Sequence, residues 1–272
     1  SRKAQRKDKK PVYMSFLDVT KAYDKAWLDG MLNVLHKNGV NDYLWKQIKM
    51  LNTNLSARIK TKHGKTRKIQ IKDSIRQGGV LSVMLYALLM DEIAKEVEQK
   101  QLGIKVPGTN QFIGCLLWMD DVVLIHNTPE GLQELLNITD KFAKKFHIQF
   151  GSEKSKTMII GKKNDNNQFY LGEMNLERTN KYKYLGEILN ETNKIGDQIV
   201  EAKRKAEAAY QTILAVAGDE NLKGIEMKTI WKLIETCIKP AITYSSETWE
   251  TNKGETKKLN DILDNILRRV LI

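Results

Sequence analysis

Cysteine is almost absent from this chain of 272 residues: Cys115 and Cys237 stand far apart, and no CxxC pair or Cys/His cluster surrounds either. A disulfide framework and a recognisable zinc site are therefore excluded, which suits a reducing, intracellular compartment. Long apolar runs are missing as well. None reaches the roughly 18 residues that a membrane helix requires, and no signal peptide accompanies the basic opening SRKAQRKDKK, so neither a membrane nor a secretory route is expected. Internal repeats and low-complexity linkers are also lacking. Because the chain opens on Ser1 and not on Met, we expect a piece of a longer polypeptide.

What is present is an apolar fraction of 41% and a net charge of +12. The first suffices for one large core or two modest ones. The second anticipates a polyanionic partner. Residues 1–190 carry 32 Lys+Arg against 20 Asp+Glu, whereas residues 191–272 carry 13 of each. Beyond the N-terminal decapeptide the excess concentrates in ARIKTKHGKTRKIQIK, residues 57–72, which holds Arg58, Lys60, Lys62, Lys65, Arg67, Lys68 and Lys72 and no acid. Its alternation about His63-Gly64 predicts a hairpin with basic side chains on one face, either a solvated surface or one that tracks a phosphate backbone.

The patterning alternates strand and helix through the first two thirds of the chain. A strand over 12–19 leads into helices over 24–38 and 42–53, and a long apolar helix follows over 79–99. Thr128 is the expected cap of a helix that starts at Pro129 and runs to Phe146. Further strands fall at KTMIIGK, QFYLG and YKYLGEIL. Thereafter the pattern is helical, with Ile199, Ala202, Ala206, Ala209, Ile213 and Val216 at helical spacing. The change of pattern and charge predicts an α+β unit over 1–190 and a helical unit over 191–272.

Two carboxylates, Asp120 and Asp121, interrupt the apolar run GCLLWMDDVVLIH. On this segment alone, an Asp turn between two short strands is the plainer reading. Asp18, however, ends the apolar strand VYMSFLDV in the same manner. If the two strands are neighbours, three carboxylates converge, and so many like charges need cations to be stable. Oxygen donors without His or Cys select Mg²⁺ or Mn²⁺. Two such ions suit in-line nucleotidyl transfer, one activating a hydroxyl while the other steadies a departing pyrophosphate. The adjacent glycines of IRQGG, at the start of the long helix, allow close backbone approach to a ligand.

In order along the chain, FLDVTKAYDKAW, IRQGGVLSVMLYALLMDEI, WMDD, GSEKSKTMII and KYKYLG resemble five motifs of the reverse transcriptases of non-LTR (LINE-type) retrotransposons. KPAITYSSETW is similar to a segment that follows the palm in many of these elements. Val83 stands where the family usually has proline, and Met119 where alanine is commoner. The resemblance implies an α+β polymerase palm, an antiparallel sheet with packed helices, followed by a mostly α-helical thumb. It implies an RNA-directed DNA polymerase that extends a primer 3′-OH with dNTPs on an RNA template, using two Mg²⁺ ions or Mn²⁺. The setting implied is the nucleus or a cytoplasmic ribonucleoprotein. The fingers that precede the first motif, and an endonuclease, would lie elsewhere in a parent polyprotein.

The resemblance also implies residue roles. Asp18 and Asp120 would hold both metals, Asp121 would assist, and the Val19 carbonyl would complete one coordination sphere. Tyr23 would lie under the nucleotide sugar, with Arg76, Gln77 and Gly78 against the template and nascent base pair. Lys154, preferred over Lys156, would reach the leaving pyrophosphate, and Tyr184, Leu185 and Gly186 would hold the primer end. A charge-neutral thumb could grip a duplex only if Lys203, Arg204 and Lys205 share one side. Two rivals stand beside this reading: a nucleic-acid-binding module with a polymerase-like fold but no catalysis, and a metal-dependent nuclease using the same aspartates.

Overall fold

The computed structural model describes residues 10–271 except 71–74, 76–78, 163, 164, 219–221 and 223. The chain divides into two compact units between Asn180 and Lys181. That break precedes the expected one near 190 because the hairpin of Lys181–Tyr184 and Glu187–Asn190 is tied to the helical unit. Lys181 pairs with Asp197 at 2.6 Å and Lys183 with Glu201 at 3.0 Å.

The first unit is built on a six-stranded sheet. Its strands are β1 (Val12–Asp18), β2 (Cys115–Trp118), β3 (Asp121–His126), β4 (Lys156–Ile160), β5 (Phe169–Leu171) and β6 (Met174–Arg178). Their order is β5-β6-β4-β1-β3-β2, with β4 and β6 the parallel pair. Strand β1 sits between β4 and β3, antiparallel to both, and is buried at every position before Asp18. A sequence as apolar as VYMSFL can only be satisfied by a strand covered on both faces.

Among the described residues, four helices accompany the sheet: α1 (Leu28–Lys37), α2 (Asp42–Asn52), α3 (Val80–Gln99) and α4 (Pro129–Phe146). Helix α3 packs on α1 and β2, and α4 packs on β3 and β5. Leu17, Tyr86, Leu89, Ile93, Leu124 and Leu135 lie at the centre of the resulting core. Helix α4 begins as its sequence predicts, with the Thr128 hydroxyl accepting from the Gly131 N–H and Pro129 in the first turn. Helix α1 starts at Leu28 and not at 24: residues 20–25 form turns in which the Asp24 and Lys25 N–H groups both donate to the Lys21 carbonyl, at 3.0 and 3.1 Å.

The basic segment forms the expected hairpin, in which Ser56–Ala57 pairs with Ile69–Gln70 and Lys60–Thr61 with Gly64–Lys65. Its turn falls on Lys62-His63, one residue before the expected point, with Gly64 at φ 125° closing it.

In the second unit, α5 (Gly196–Ala217) packs against α7 (Lys239–Thr243) and α8 (Lys253–Leu271). Helix α6 (Met227–Leu233) runs into α7 through a π-helical turn, Ile234–Ile238. Pro240 accounts for that turn, since it has no N–H for the regular ladder and its ring crowds the carbonyl four residues back. Ala202, Ala206 and Ile213 are buried as expected, but Val216 is 84% exposed. It lies out of phase with that face, where Ala217 packs instead. Among the described residues, no helix is long and apolar enough to cross a membrane.

Candidate active site

The pairing of β1 with β3 sets the last residue of one strand, Asp18, opposite the first residue of the other, Asp121. Asp120 occupies the two-residue turn from β2, beside Met119 at φ 54°. That φ is unfavourable for a residue with a side chain as long as methionine, so the turn is held by its surroundings and not by its own preference. The Val19 N–H donates to the Asp120 carbonyl at 3.3 Å, which binds the turn to the end of β1. On its other side Val19 bridges Phe150, where Thr20 donates to Gln149 at 2.8 Å and Gly151 to the Asp18 carbonyl at 2.9 Å. In such an antiparallel bridge the Val19 carbonyl is turned away from Phe150, to the Asp120 side.

Asp18 is also anchored by the segment before β4. Its N–H donates to the hydroxyl of fully buried Ser155 at 3.3 Å. Gly151 lets the chain pass close to Asp18: a Cβ there would lie 3.1 Å from Thr20 Oγ1 and 3.9 Å from Asp18 Oδ2. Lys154 Nζ stands 3.5 Å from Asp18 Oδ1 while its side chain is largely exposed. Asp18, Val19, Tyr23, Asp120, Gly151 and Lys154 together line a cleft of about 660 Å³. The alternative lysine, Lys156, lies within β4 opposite Phe16 and is held by Glu177 at 2.6 Å.

Burial pushes the Asp121 carboxyl above its ordinary range, Asp120 and then Asp18 add to the effect, and Lys154 opposes it. Tyr23 stacks at 5.5 Å on Tyr86, a buried residue of α3. Burial, then the charge of Asp120 and the neighbouring Tyr23, raise the Tyr86 hydroxyl above its usual pKa, and among the described residues this hydroxyl has no hydrogen-bond partner.

The donors available to a cation are all oxygen, the chemistry that suits Mg²⁺ or Mn²⁺. Among the described residues, however, no group of three or more His, Cys, Asp or Glu is drawn together closely enough to hold a metal ion. The carboxylates are assembled by register and not yet gathered around a point. Arg76, Gln77 and Gly78 lie outside the described residues. Tyr184, Leu185 and Gly186 belong to the second unit. Arg58, Lys60, Lys62, Lys65, Arg67 and Lys68 are all exposed on the hairpin, with Lys60 directly opposite Lys65. The basic run expected on the thumb is largely engaged internally: Arg204 pairs with Glu201 at 2.7 Å and Lys205 donates to the Gly186 carbonyl at 3.3 Å. Sequence reasoning passed over Ser155, Gly151 and Tyr86.

A family model described as reverse transcriptase (RNA-dependent DNA polymerase) matches residues 1–189. The chain belongs to that family. This reverse transcriptase chain is also similar to the retrovirus-related Pol polyprotein from the type-1 retrotransposable element R2 of Nasonia vitripennis. The two are 26% identical over 192 residues, 66% of this chain and 18% of that protein. The corresponding polyprotein from the type-2 element R2DM of Drosophila melanogaster is 27% identical over 190 residues, 64% of this chain and 17% of that protein. These relatives bear out the non-LTR retrotransposon resemblance, and the chain spans less than a fifth of their length. Among solved structures, apo telomerase from Candida tropicalis aligns with a TM-score of 0.51 at 13% identity, over 99% of this chain and 48% of that one. Telomerase from Candida albicans with a fragment of telomeric RNA gives a TM-score of 0.51 at 9% identity, over 98% and 49%. Such likeness speaks to the fold, which is α+β as expected.

Proposed function

We propose that this chain is the catalytic part of an RNA-directed DNA polymerase within a longer retrotransposon polyprotein. The unit ending at Asn180 would serve as palm and the unit from Lys181 as thumb. The observation that carries this reading is the register match of Asp18 with Asp121, with Asp120 in the adjoining turn. Asp18 and Asp120 line a cleft shared with Lys154 and Tyr23.

Two Mg²⁺ or Mn²⁺ ions, held by Asp18, Asp120, Asp121 and the Val19 carbonyl, would supply the charge that activates a primer 3′-OH and steadies pyrophosphate. Lys154, paired with Asp18 but itself largely exposed, would swing to the leaving pyrophosphate and give it a proton. Tyr23, backed by Tyr86, would lie beneath the nucleotide sugar, and Gln77 and Gly78 against the template with Arg76 beside them. Tyr184, Leu185 and Gly186 would hold the primer end, and the hairpin bearing Arg58 to Lys68 would follow the nucleic-acid backbone. The partners are then an RNA template, a DNA primer and dNTPs, and the setting is the nucleus or a cytoplasmic ribonucleoprotein.

Primer extension on an RNA template with Mg²⁺, run beside Asp120→Ala, tests the reading. Extension by the parent and none by the variant, at equal duplex affinity, is expected. Binding without extension by either protein would favour the non-catalytic module.

A further inference from the structure

The segment TYSSETW, residues 243–249, is not used by the function just described. Its contacts converge on one turn. The hairpin of Lys181–Tyr184 and Glu187–Asn190 closes through Leu185 at φ 47° and Gly186 at φ 81°. Two central residues at positive φ suit the twist of a hairpin, but leucine is poorly disposed to that conformation, so the tip needs support from outside.

Tyr244 and Lys205 provide it. The Tyr244 hydroxyl donates to the Leu185 carbonyl at 2.7 Å, and Lys205 Nζ donates to the Gly186 carbonyl at 3.3 Å. The same lysine stands over the Tyr244 ring, 4.7 Å from its centre. A Cβ on Gly186 would come within 3.0 Å of Tyr244 Cε1, so the ring lies directly against the backbone of the turn. The next element completes the support. Ser245, at φ 66°, donates to Glu187 Oε2 at 3.1 Å, and the Thr248 hydroxyl shares its one proton between that oxygen at 3.0 Å and the Ser245 carbonyl at 2.8 Å. The Thr248 N–H and the Trp249 N–H both return to this segment, to the Ser245 and Ser246 carbonyls, which keeps the hydroxyls in place.

We propose that Tyr244, with Ser245, Thr248 and Lys205, forms a brace that fixes the attitude of the 184–187 turn, making Tyr244 a positioning residue for a primer terminus held there. The proposal rests on the polymerase reading and deepens it. A hairpin tip with unbraced carbonyls samples several orientations. Narrowing them to one gives a docked 3′ end a single seat on the hairpin, and displacements of about 1 Å are enough to slow a reaction. The brace also explains why Lys205, half-buried on α5, is turned to a carbonyl and a ring.

The full chain, parent and Tyr244→Phe, is compared by hydrogen–deuterium exchange over residues 181–190 and by fluorescence anisotropy. Two duplexes are used, a primer–template with a recessed 3′ end and a covalently closed duplex without one. Tyr244→Phe keeps the ring on Gly186 and deletes only the hydroxyl, and Thr248→Val serves as a second variant should the first fold poorly. The expected result is faster exchange confined to the hairpin, a melting temperature close to the parent's, and primer–template binding weakened roughly fivefold, the factor one net hydrogen bond represents. Binding of the closed duplex stays unchanged, which a general loss of structure would not allow. Unchanged exchange, or a loosened hairpin that still prefers the recessed end as strongly as the parent, overturns the brace. A parent that binds neither duplex overturns the polymerase reading and the proposal with it.

Discussion

Asp18 and Asp121 are direct partners across β1 and β3, so this pairing brings two carboxylates side by side with a third, Asp120, one residue away. Asp121 is held above the ordinary carboxylate range chiefly by burial and then by its two acidic neighbours, and its ionisation therefore opposes folding. A raised carboxyl contributes fully below its unfolded pKa, and that contribution is lost as pH rises through the folded value. Asp120→Asn removes one repulsion. Without added metal, the variant should melt at or above the parent at neutral pH and match it in acid, while extension falls by at least about 100-fold, the scale of losing one oriented transition-state contact. A variant melting well below the parent at pH 7 would indicate a structural role instead.

Tyr86→Phe should stabilise the protein. Among the described residues the Tyr86 hydroxyl has no partner, and a buried hydroxyl so placed costs about 1–3 kcal/mol, so deleting it should return about 1 kcal/mol. Chemical denaturation of the two proteins measures this, and a loss of stability would mean that the hydroxyl has a partner in solution.

If Tyr23 lies beneath the nucleotide sugar as proposed, Tyr23→Val would open that space. Overpacking against a 2′-hydroxyl costs about 1–3 kcal/mol, equivalent to roughly five- to 150-fold discrimination. The ratio of kcat/KM for dNTP and rNTP should fall by that factor. An unchanged ratio in a folded, active variant would leave Tyr23 a packing residue only.

Asp165 supplies a pH-dependent element far from this chemistry. Burial alone would raise its carboxyl, but the Asn167 N–H, the Tyr13 hydroxyl at 2.8 Å and Lys162 at 3.0 Å outweigh it and bring the pKa down to about 2. The stability it confers is present above the unfolded value and disappears as pH falls through about 2. Asp165→Asn should therefore cost on the order of 2 kcal/mol at pH 7 and little in strong acid. A constant difference across pH would separate the effect from ionisation.

The exposed hairpin lysines make salt the readout of their role. If they lie along a phosphate backbone, each of Lys60, Lys62 and Lys65 changed to Ala should flatten the slope of log affinity against log salt by about 0.7–0.9. A triple variant with the parental slope would leave this hairpin merely solvated.

Much of this was legible because it is local. Thr128-Pro129 announces the start of α4, and Asp18, Asp120 and Asp121 stand out as charges ending apolar strands. What escaped depends on neighbours remote in sequence. Nothing in GSEKS distinguishes Ser155 as the buried hydroxyl that receives the Asp18 N–H. Tyr86 reads as one more apolar position of a long helix until the fold lays it against Tyr23. The boundary at Asn180 is set by Lys181 and Lys183 reaching Asp197 and Glu201, pairings that no strand pattern encodes. The short strand Met174–Arg178 is paired by β4 and β5 and carries too little alternation to be recognised alone.

The ladder between β1 and β3 places unequal demands on the two kinds of change a gene can acquire. Exchanging one buried aliphatic residue for another in either strand leaves every pairing in place. Inserting or deleting a single residue flips the faces of the strand. A two-residue slip restores the faces but carries Asp18 about 7 Å away from Asp121. Drifting copies of this sequence should therefore keep their hydrophobic pattern long after substitutions accumulate, and lose the chemistry abruptly at the first frame-preserving indel within these strands.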